Sequence, residues 1–267
     1  MIHRLYVNAV GFVAPGFDSA EALDAHISGA PCRQSTGWSP APTSLSRRQA
    51  LRLSDATRLA ILAAEQIAEA MPVDAGWVFA SSVGEGQTLN EILMALSQDE
   101  TMIQPLRFQN AVHNAAQGQW SIVAGSESPA TSIAAYDNTV GAALLKAMMQ
   151  AVIEKLPVGL VVYDAPQPPP LHVKRPFACP MAAALALSPG PWPESRAVLE
   201  IALTSAARPT MQDDLPIAES LLRGENPVRF TLPLLREVFQ PSGRQVTLAL
   251  NGGSGLEVRV MHINNAA

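Results

Sequence analysis

The amino-acid sequence predicts an α/β fold with a mainly parallel, five-stranded sheet and helices on both faces. Short apolar segments of strand length alternate four times with longer segments whose apolar residues recur at helical spacing. The strand segments, such as 76–82 (GWVFASS), lack alternation of polar and apolar residues, which is typical of strands buried on both faces. Hydrophobic residues make up 48% of the chain and charged residues 15%, which supplies a large core. Alternation of this kind indicates parallel strands joined by helical crossovers.

Residues that start or stop regular structure bound these segments. The first strand, 5–13, ends at an Ala-Pro-Gly turn, and Ser19 offers an N-cap to a short helix, 19–28. In the long helix 55–71, the residues Leu59, Ala63 and Ile67 form one apolar stripe. The remaining predicted strands are 131–135, 157–163, 178–187 and 197–204, and the remaining helices in this part are 88–96, 110–124 and 139–153.

The last 60 residues are less regular. Helical spacing predicts helices over 209–223 and 232–239, and the glycine-rich segment 251–255 predicts a hairpin between strands 246–250 and 256–262. We expect residues 1–205 to form one α/β domain. Residues 206–267 are then a C-terminal part that packs on the same domain.

Charge and cysteine content exclude several functions. The net charge of −5 argues against general nucleic-acid binding, which needs a basic surface. No apolar run reaches membrane-spanning length and no signal peptide is recognisable, so we expect no membrane contact and a cytoplasmic location. Cys32 and Cys179 lie far apart, and free thiols are favoured over a disulfide. No set of histidines, cysteines and carboxylates has metal-ligand spacing, so we expect neither a metal nor a cofactor.

The segment 105–142 is the most informative part of the chain. A helix rich in small residues, a Gly-Ser-Glu-Ser-Pro break and a short strand lead to Tyr136, Asp137 and Asn138, after which a second helix begins. A strand that runs directly into a helix places side chains at the positive end of the helix dipole, where an anion or a nucleophile is stabilised. The simplest alternative is that Asp137 or Asn138 only caps the second helix.

Residues 107–135, RFQNAVHNAAQGQWSIVAGSESPATSIAA, resemble the N-terminal half of β-ketoacyl synthases, the thiolase-fold condensing enzymes. The similarity is strongest to the divergent bacterial branch called β-ketoacyl synthase-like or chain length factor subunits, from aryl polyene and type II polyketide clusters. The resemblance covers roughly residues 1–205 and implies a thiolase-like half-fold followed by a truncated second half. It identifies a partner-facing strand, whose residues are Thr131, Ser132, Ile133, Ala134 and Ala135.

The chain departs from the condensing enzymes at the reactive residues. The resemblance places the nucleophilic cysteine at Asp137, and neither of the two family histidines of the second half has a counterpart in a matching motif. It therefore implies that no catalytic residue of that family is retained. The resemblance also places a pocket or subunit contact around six residues. These are Phe108, His113, Asn114, Tyr136, Asp137 and Asn138.

Other candidate residues have simpler explanations. His113 titrates near neutrality and suits a general base, but a buried, hydrogen-bonded histidine is more common. Cys179 is most simply a buried thiol. The arginines around Arg47 suit contact with an acidic carrier protein, but a solvated face with ion pairs, for instance to Asp55 or Glu65, is the simpler explanation. The glycine turn after strand 76–82 lacks the lysine of a phosphate-binding loop.

Three functional hypotheses remain. The first is a non-catalytic, chain length factor-type subunit that forms a heterodimer with a full-length ketoacyl synthase and shapes its acyl pocket, with an acyl carrier protein as a possible further partner. The second is a small acyltransferase or decarboxylase that acts on carrier-bound thioesters through Asp137, His113 or Cys179. The third is a homodimeric thiolase-like binding module.

Overall fold

The computed structural model describes residues 2–32, 37–98, 103–177, 179–205, 208–210 and 225–263. Most predicted elements are confirmed, with shifted ends. The strands are β1 (Ile2–Val13), β2 (Gly76–Ala80), β3 (Ala130–Ile133), β4 (Val158–Asp164), β5 (Met181–Ser188), β6 (Ala197–Ser205), β7 (Gln245–Ala249) and β8 (Ser254–His262). The helices are α1 (Ala20–Ile27), α2 (Arg47–Ala50), α3 (Asp55–Ala68), α4 (Gly86–Ser97), α5 (Pro105–Asn110), α6 (Ala115–Ala124), α7 (Thr139–Glu154) and α8 (Leu232–Phe239). The helix predicted over 209–223 falls mostly outside the described residues.

These strands form one sheet in the order β3-β2-β4-β5-β1-β6-β8-β7. The α/β class is confirmed, but among the described residues the sheet has eight strands rather than five, and the parallel neighbours are β3, β2 and β4. The remaining neighbours are antiparallel. The prediction of a mainly parallel sheet was wrong because β5 is antiparallel yet fully buried, so its apolar sequence imitates a parallel strand.

Helices cover both faces of the sheet, as predicted. On one face, α3 and α6 pack over β1, β2, β4 and β5 and enclose a core that contains Leu59, Trp77 and Trp120. On the other face, α1, α7 and α8 enclose a core that includes Leu144 and Leu235. The helix α7 contacts β2 and β4, and its first turn therefore lies beside the ends of the parallel strands.

The predicted helix 110–124 is two helices. The helix α5 ends at Asn110 and α6 begins at Ala115, and a turn at 111–114 separates them. Asn110 is buried, and its Nδ2 donates a hydrogen bond to the carbonyl oxygen of Arg52, 3.0 Å away. This turn carries His113 towards the end of β2, a position that a continuous helix would not give it.

Candidate functional site

The connection between β3 and α7 forms a tight elbow. The strand ends at Ile133, so Ala134 and Ala135, predicted to be part of it, lie outside the strand, and a 3₁₀ turn spans Tyr136–Asn138. Tyr136 has a φ of 54°, in the left-handed region that side chains other than glycine rarely occupy. Thr139 closes the elbow, because its Oγ1 accepts from the backbone N–H of Ala135 (3.1 Å) and donates to the carbonyl oxygen of Tyr136 (2.6 Å).

The prediction that Asp137 or Asn138 caps α7 was wrong. Asn138 occupies the N-cap position, but no side-chain hydrogen bond caps the helix there. Its Nδ2 donates instead to Oδ1 of Asn251, 2.9 Å away. The Asp137 carboxylate accepts a hydrogen bond from Arg175, 2.7 Å away. Both side chains therefore tie the elbow to distant segments of the chain instead of capping α7.

Arg175 is the residue around which the elbow is built. Its Nη1 pairs with Asp137, and its Nη2 donates to Oγ of Ser82, 3.1 Å away. The guanidinium carbon lies 3.8 Å from the centre of the Tyr136 ring and 4.9 Å from that of Phe177. Burial lowers the pKa of Arg175, but hydrogen bonds with Asp137 and Tyr136 outweigh burial and raise it above its ordinary value. The guanidinium is therefore a fixed positive charge that neutralises Asp137.

A buried carboxylate joins the ends of β2 and β4 beneath this arginine. Asp164 is fully buried; its Oδ1 accepts from Oγ of Ser81 (2.7 Å) and from the backbone N–H of Ser82 (3.0 Å). Burial raises the pKa of Asp164 from 3.8 to about 6, while the hydrogen bonds from the two serines oppose the shift. A chain of contacts thus runs from Asp164 through Ser82 and Arg175 to Asp137 at the surface.

His113 lies at the end of β2, where its Nε2–H donates to the carbonyl oxygen of Ser81, 3.0 Å away. Nearby, Glu85 is buried, accepts from Oγ1 of Thr57 (2.6 Å), and has a pKa raised by burial. His113 therefore supports the turn after β2. Its contact is with a backbone carbonyl, so the geometry gives it no nucleophile to activate.

The remaining predicted residues lie apart from this cluster. Asn114 is exposed immediately before α6, and its side chain forms no capping hydrogen bond. Phe108 is 70% exposed on α5. Cys179 is partly buried, and burial raises its pKa to about 11, which keeps the thiol protonated at neutral pH. The elbow thus brings Tyr136, Asp137 and Asn138 together, whereas the other candidates support or surround it.

Sequence reasoning missed Arg175, Ser81, Ser82 and Asp164. A signal existed for Asp164, because a carboxylate directly after a wholly apolar strand is expected at the ligand-binding end of a parallel sheet. No signal existed for Arg175, which follows a proline-rich connection and reaches the elbow only through tertiary structure.

The space behind the elbow is small among the residues that the structure describes. A cavity of about 130 Å³, roughly the volume of four water molecules, is bounded by Asp137, Val140, Phe230 and Leu248. A further space behind Val140 and Leu248 amounts to about 10 Å³. The described part of the chain contains no cluster of three potential metal ligands, and none of its helices combines the length and apolar character that crossing a bilayer requires.

Asp164 makes stability depend on pH. Because its pKa is higher in the folded protein than in the unfolded chain, its contribution to stability is complete below about pH 4 and is lost as the pH rises through 6. We expect the free energy of unfolding of Asp164→Asn, relative to the wild type, to rise by roughly 2 kcal/mol between pH 4 and pH 7.5. Urea denaturation across this range measures the difference, and parallel pH profiles for the two proteins would contradict the assignment.

Comparison with known proteins agrees with this geometry. A search of curated protein sequences finds no significant match. Among solved structures, a chain from the complex of a ketosynthase with its chain length factor from Xenorhabdus doucetiae superposes with a TM-score of 0.72. It is 21% identical, and the match covers 96% of this chain and 98% of that one.

Two further structures match in the same way. A chain from a type II polyketide ketosynthase in complex with its acyl carrier protein gives a TM-score of 0.73 at 13% identity, covering 98% of this chain and 100% of the other. A β-ketoacyl synthase from Burkholderia phymatum gives 0.70 at 10% identity, with the same coverage. These likenesses confirm the predicted ketosynthase-type fold. A family model of the β-ketoacyl synthase N-terminal domain matches residues 30–234, more than half of the chain, which therefore belongs to that family.

Proposed function

We propose that this protein is a non-catalytic, chain length factor-type subunit that pairs with an active ketoacyl synthase and shapes its acyl pocket. The elbow carries the proposal. Where the condensing enzymes hold a free thiol, this chain holds Asp137, whose charge is neutralised by Arg175 at 2.7 Å. A carboxylate is a poor nucleophile for acyl transfer, and an ion-paired carboxylate is a weaker one still.

The surroundings of the elbow argue against the acyltransferase alternative. Cys179 has a pKa of about 11, and His113 is hydrogen-bonded to a backbone carbonyl. The cavity of about 130 Å³ behind Asp137 offers room for only a few atoms of an acyl chain. With so little room behind Asp137, we expect an effect on product length to act through the pocket of a partner.

The strand β3 offers a free edge for that partner. Among the described strands it is the terminal one of the sheet, and its partner there is β2. The carbonyl groups of Pro129 and Ile133 accept hydrogen bonds from β2, so the backbone groups of Ala130, Ser132 and Ala134 point away from it. The side chain of Gln117 binds the carbonyl oxygen of Ala130, 3.2 Å away, and protects one end of the edge. The backbone of Ser132 is left as a template for pairing.

Exposed apolar side chains on α4 form a second candidate contact surface. The helix α4 buries Ile92 on one side, yet its Leu89, Leu93 and Leu96 are exposed at helical spacing on another. Exposed apolar stripes of this kind usually mark a contact with another protein. The solved relatives include a ketosynthase in complex with its chain length factor, which supports a ketosynthase as the partner.

Ser132 provides a direct test of pairing along β3. Ser132→Pro removes an N–H that points away from β2 and blocks a partner strand. Ser132→Ala removes the hydroxyl, which donates to Oε1 of Gln117 at 2.8 Å, but keeps the N–H. After co-expression with a candidate partner ketosynthase, we expect wild type and Ser132→Ala to elute as heterodimers in size exclusion. Ser132→Pro should elute as separate subunits.

Other results of this experiment would point elsewhere. Separate elution of the wild-type proteins, with a ketosynthase fully active alone, would contradict the proposed function. A stable dimer of this chain alone would favour the homodimeric binding module. An acyl adduct on this chain in mass spectrometry would favour the acyltransferase alternative.

Phe108 is the candidate wall of the partner's acyl pocket. Its ring is 70% exposed on α5, so a neighbouring subunit can reach it. A growing chain gains about 0.8 kcal/mol for each buried CH₂ until it meets a bulky side chain. We expect Phe108→Ala to lengthen the polyketide or polyene product, measured by mass spectrometry of the reconstituted pair. Leu203→Ala, which truncates an exposed leucine on β6, should leave the product unchanged.

An acyl carrier protein is the proposed third component. Arg47, Arg48 and Arg52 are exposed, and none of them forms an ion pair with another described residue, whereas Arg58 pairs with Asp55. These three arginines therefore lack the ion pairs that a simple solvated face would give them. A free basic surface on an acidic chain suits an acidic partner, and one solved relative is a ketosynthase complex that contains its acyl carrier protein.

Charge reversal tests this contact. We expect the triple variant Arg47→Glu, Arg48→Glu, Arg52→Glu to weaken carrier-protein binding to the heterodimer by at least roughly tenfold at low salt, because opposite charges become like charges. The wild-type affinity should fall as salt increases. Arg259→Glu, which reverses the charge of an exposed residue on β8, is the control. Equal affinities for the triple variant and the control, measured by calorimetry, would place the carrier protein on another surface.

A further inference from the structure

We propose that Tyr136 is the residue that anchors this chain to the ketosynthase, by seating its ring in an uncharged pocket beside the partner's paired edge strand. This inference rests on the proposed function and identifies the contact that carries most of the binding. Three independent features of Tyr136 support it, namely its backbone conformation, the way its ring is held, and its position relative to the free edge of β3.

The backbone of Tyr136 is strained at an exposed position. Among the described residues other than glycine, only Tyr136 and Lys155 have positive φ values, of 54° and 55°. Lys155 follows the last turn of α7, where a left-handed residue commonly ends a helix. Tyr136 precedes a helix, where no such conformation is required. Strain that persists at an exposed position is characteristic of functional sites.

The ring of Tyr136 is displayed rather than buried. It is 58% exposed, and the Arg175 guanidinium covers one face at 3.8 Å from the ring centre. Arg175 is itself only 12% exposed and is fixed by Asp137, Ser82 and Phe177. The ring is therefore held rigidly before any partner binds. A pre-organised aromatic side chain loses little entropy on binding, which is why tyrosines are enriched among the residues that dominate interfaces.

The position and charge of the ring define its partner. Only Ala134 and Ala135 separate Tyr136 from β3, a distance of at most about 10 Å along the chain. A strand that pairs with the free edge of β3 thus brings its own subunit against the ring. Because Asp137 neutralises the charge of Arg175, the ion pair that supports the ring carries no net charge. The matching pocket has apolar walls, and the ketosynthase supplies it.

Glycine substitutions at the two left-handed residues separate binding from folding. Tyr136→Gly relieves the strain but removes the ring, so we expect the dissociation constant of the heterodimer to rise at least about thirtyfold. The melting temperature of the isolated chain should stay within about 4 °C of wild type, because relief of strain offsets the lost stacking on Arg175. Lys155→Gly relieves strain at the matched position, and Tyr136→Phe retains the ring. Both should bind the ketosynthase within about threefold of wild type.

The outcomes distinguish this inference from the proposed function. If wild type fails to bind the ketosynthase, the proposed function is wrong and the anchor with it. If wild type binds and Tyr136→Gly binds equally well, the proposed function stands and the anchor is wrong. If Tyr136→Gly fails to fold, Tyr136→Asn replaces it, because asparagine tolerates the left-handed region. Failure of both variants to fold would show that Tyr136 serves the fold, which overturns the inference.

Discussion

The guanidinium of Arg175 is the constraint on which the elbow depends. It joins Asp137 and Tyr136, which follow β3, to Ser82, which follows β2. Ser82 in turn donates its backbone N–H to the buried Asp164 at the end of β4. Three neighbouring strand ends are thus connected through one cation and one carboxylate. Because a buried charge is stable only when it is compensated, each group fixes the position of the next.

The sequence predicted the layers of the fold better than the direction of its strands. Amphipathic spacing located α3 and α7, and both helices lie on the sheet as expected. The direction of β5 was not predictable, because a strand covered by helices on both faces is apolar whether it is parallel or antiparallel. Sheet width was also underestimated, because the hairpin of β7 and β8 was assigned to a separate C-terminal part, whereas β8 pairs along β6.

The candidate site was predictable where local sequence determines it and not where distant segments meet. The elbow at Tyr136 and Asp137 followed from a strand that runs directly into a helix. The capping prediction failed because Thr139, one residue further along, makes the hydrogen bonds that close the turn. Arg175 was not predictable, since its side-chain hydrogen-bond partners lie at least 38 residues away in sequence and only the folded chain brings them together.

Catalytic elbows and the elbow of this chain share a strand-to-helix turn but use it in opposite ways. A nucleophile at a strand-to-helix turn must remain reactive and accessible to substrate, and the turn serves to project it. Here the residue after the turn is paired with Arg175, and the residue at the turn projects a tyrosine ring outwards instead. The strain costs roughly 1–3 kcal/mol, and it positions no reactive group in the isolated chain. A conformation this costly is best explained if a second protein recognises what it displays.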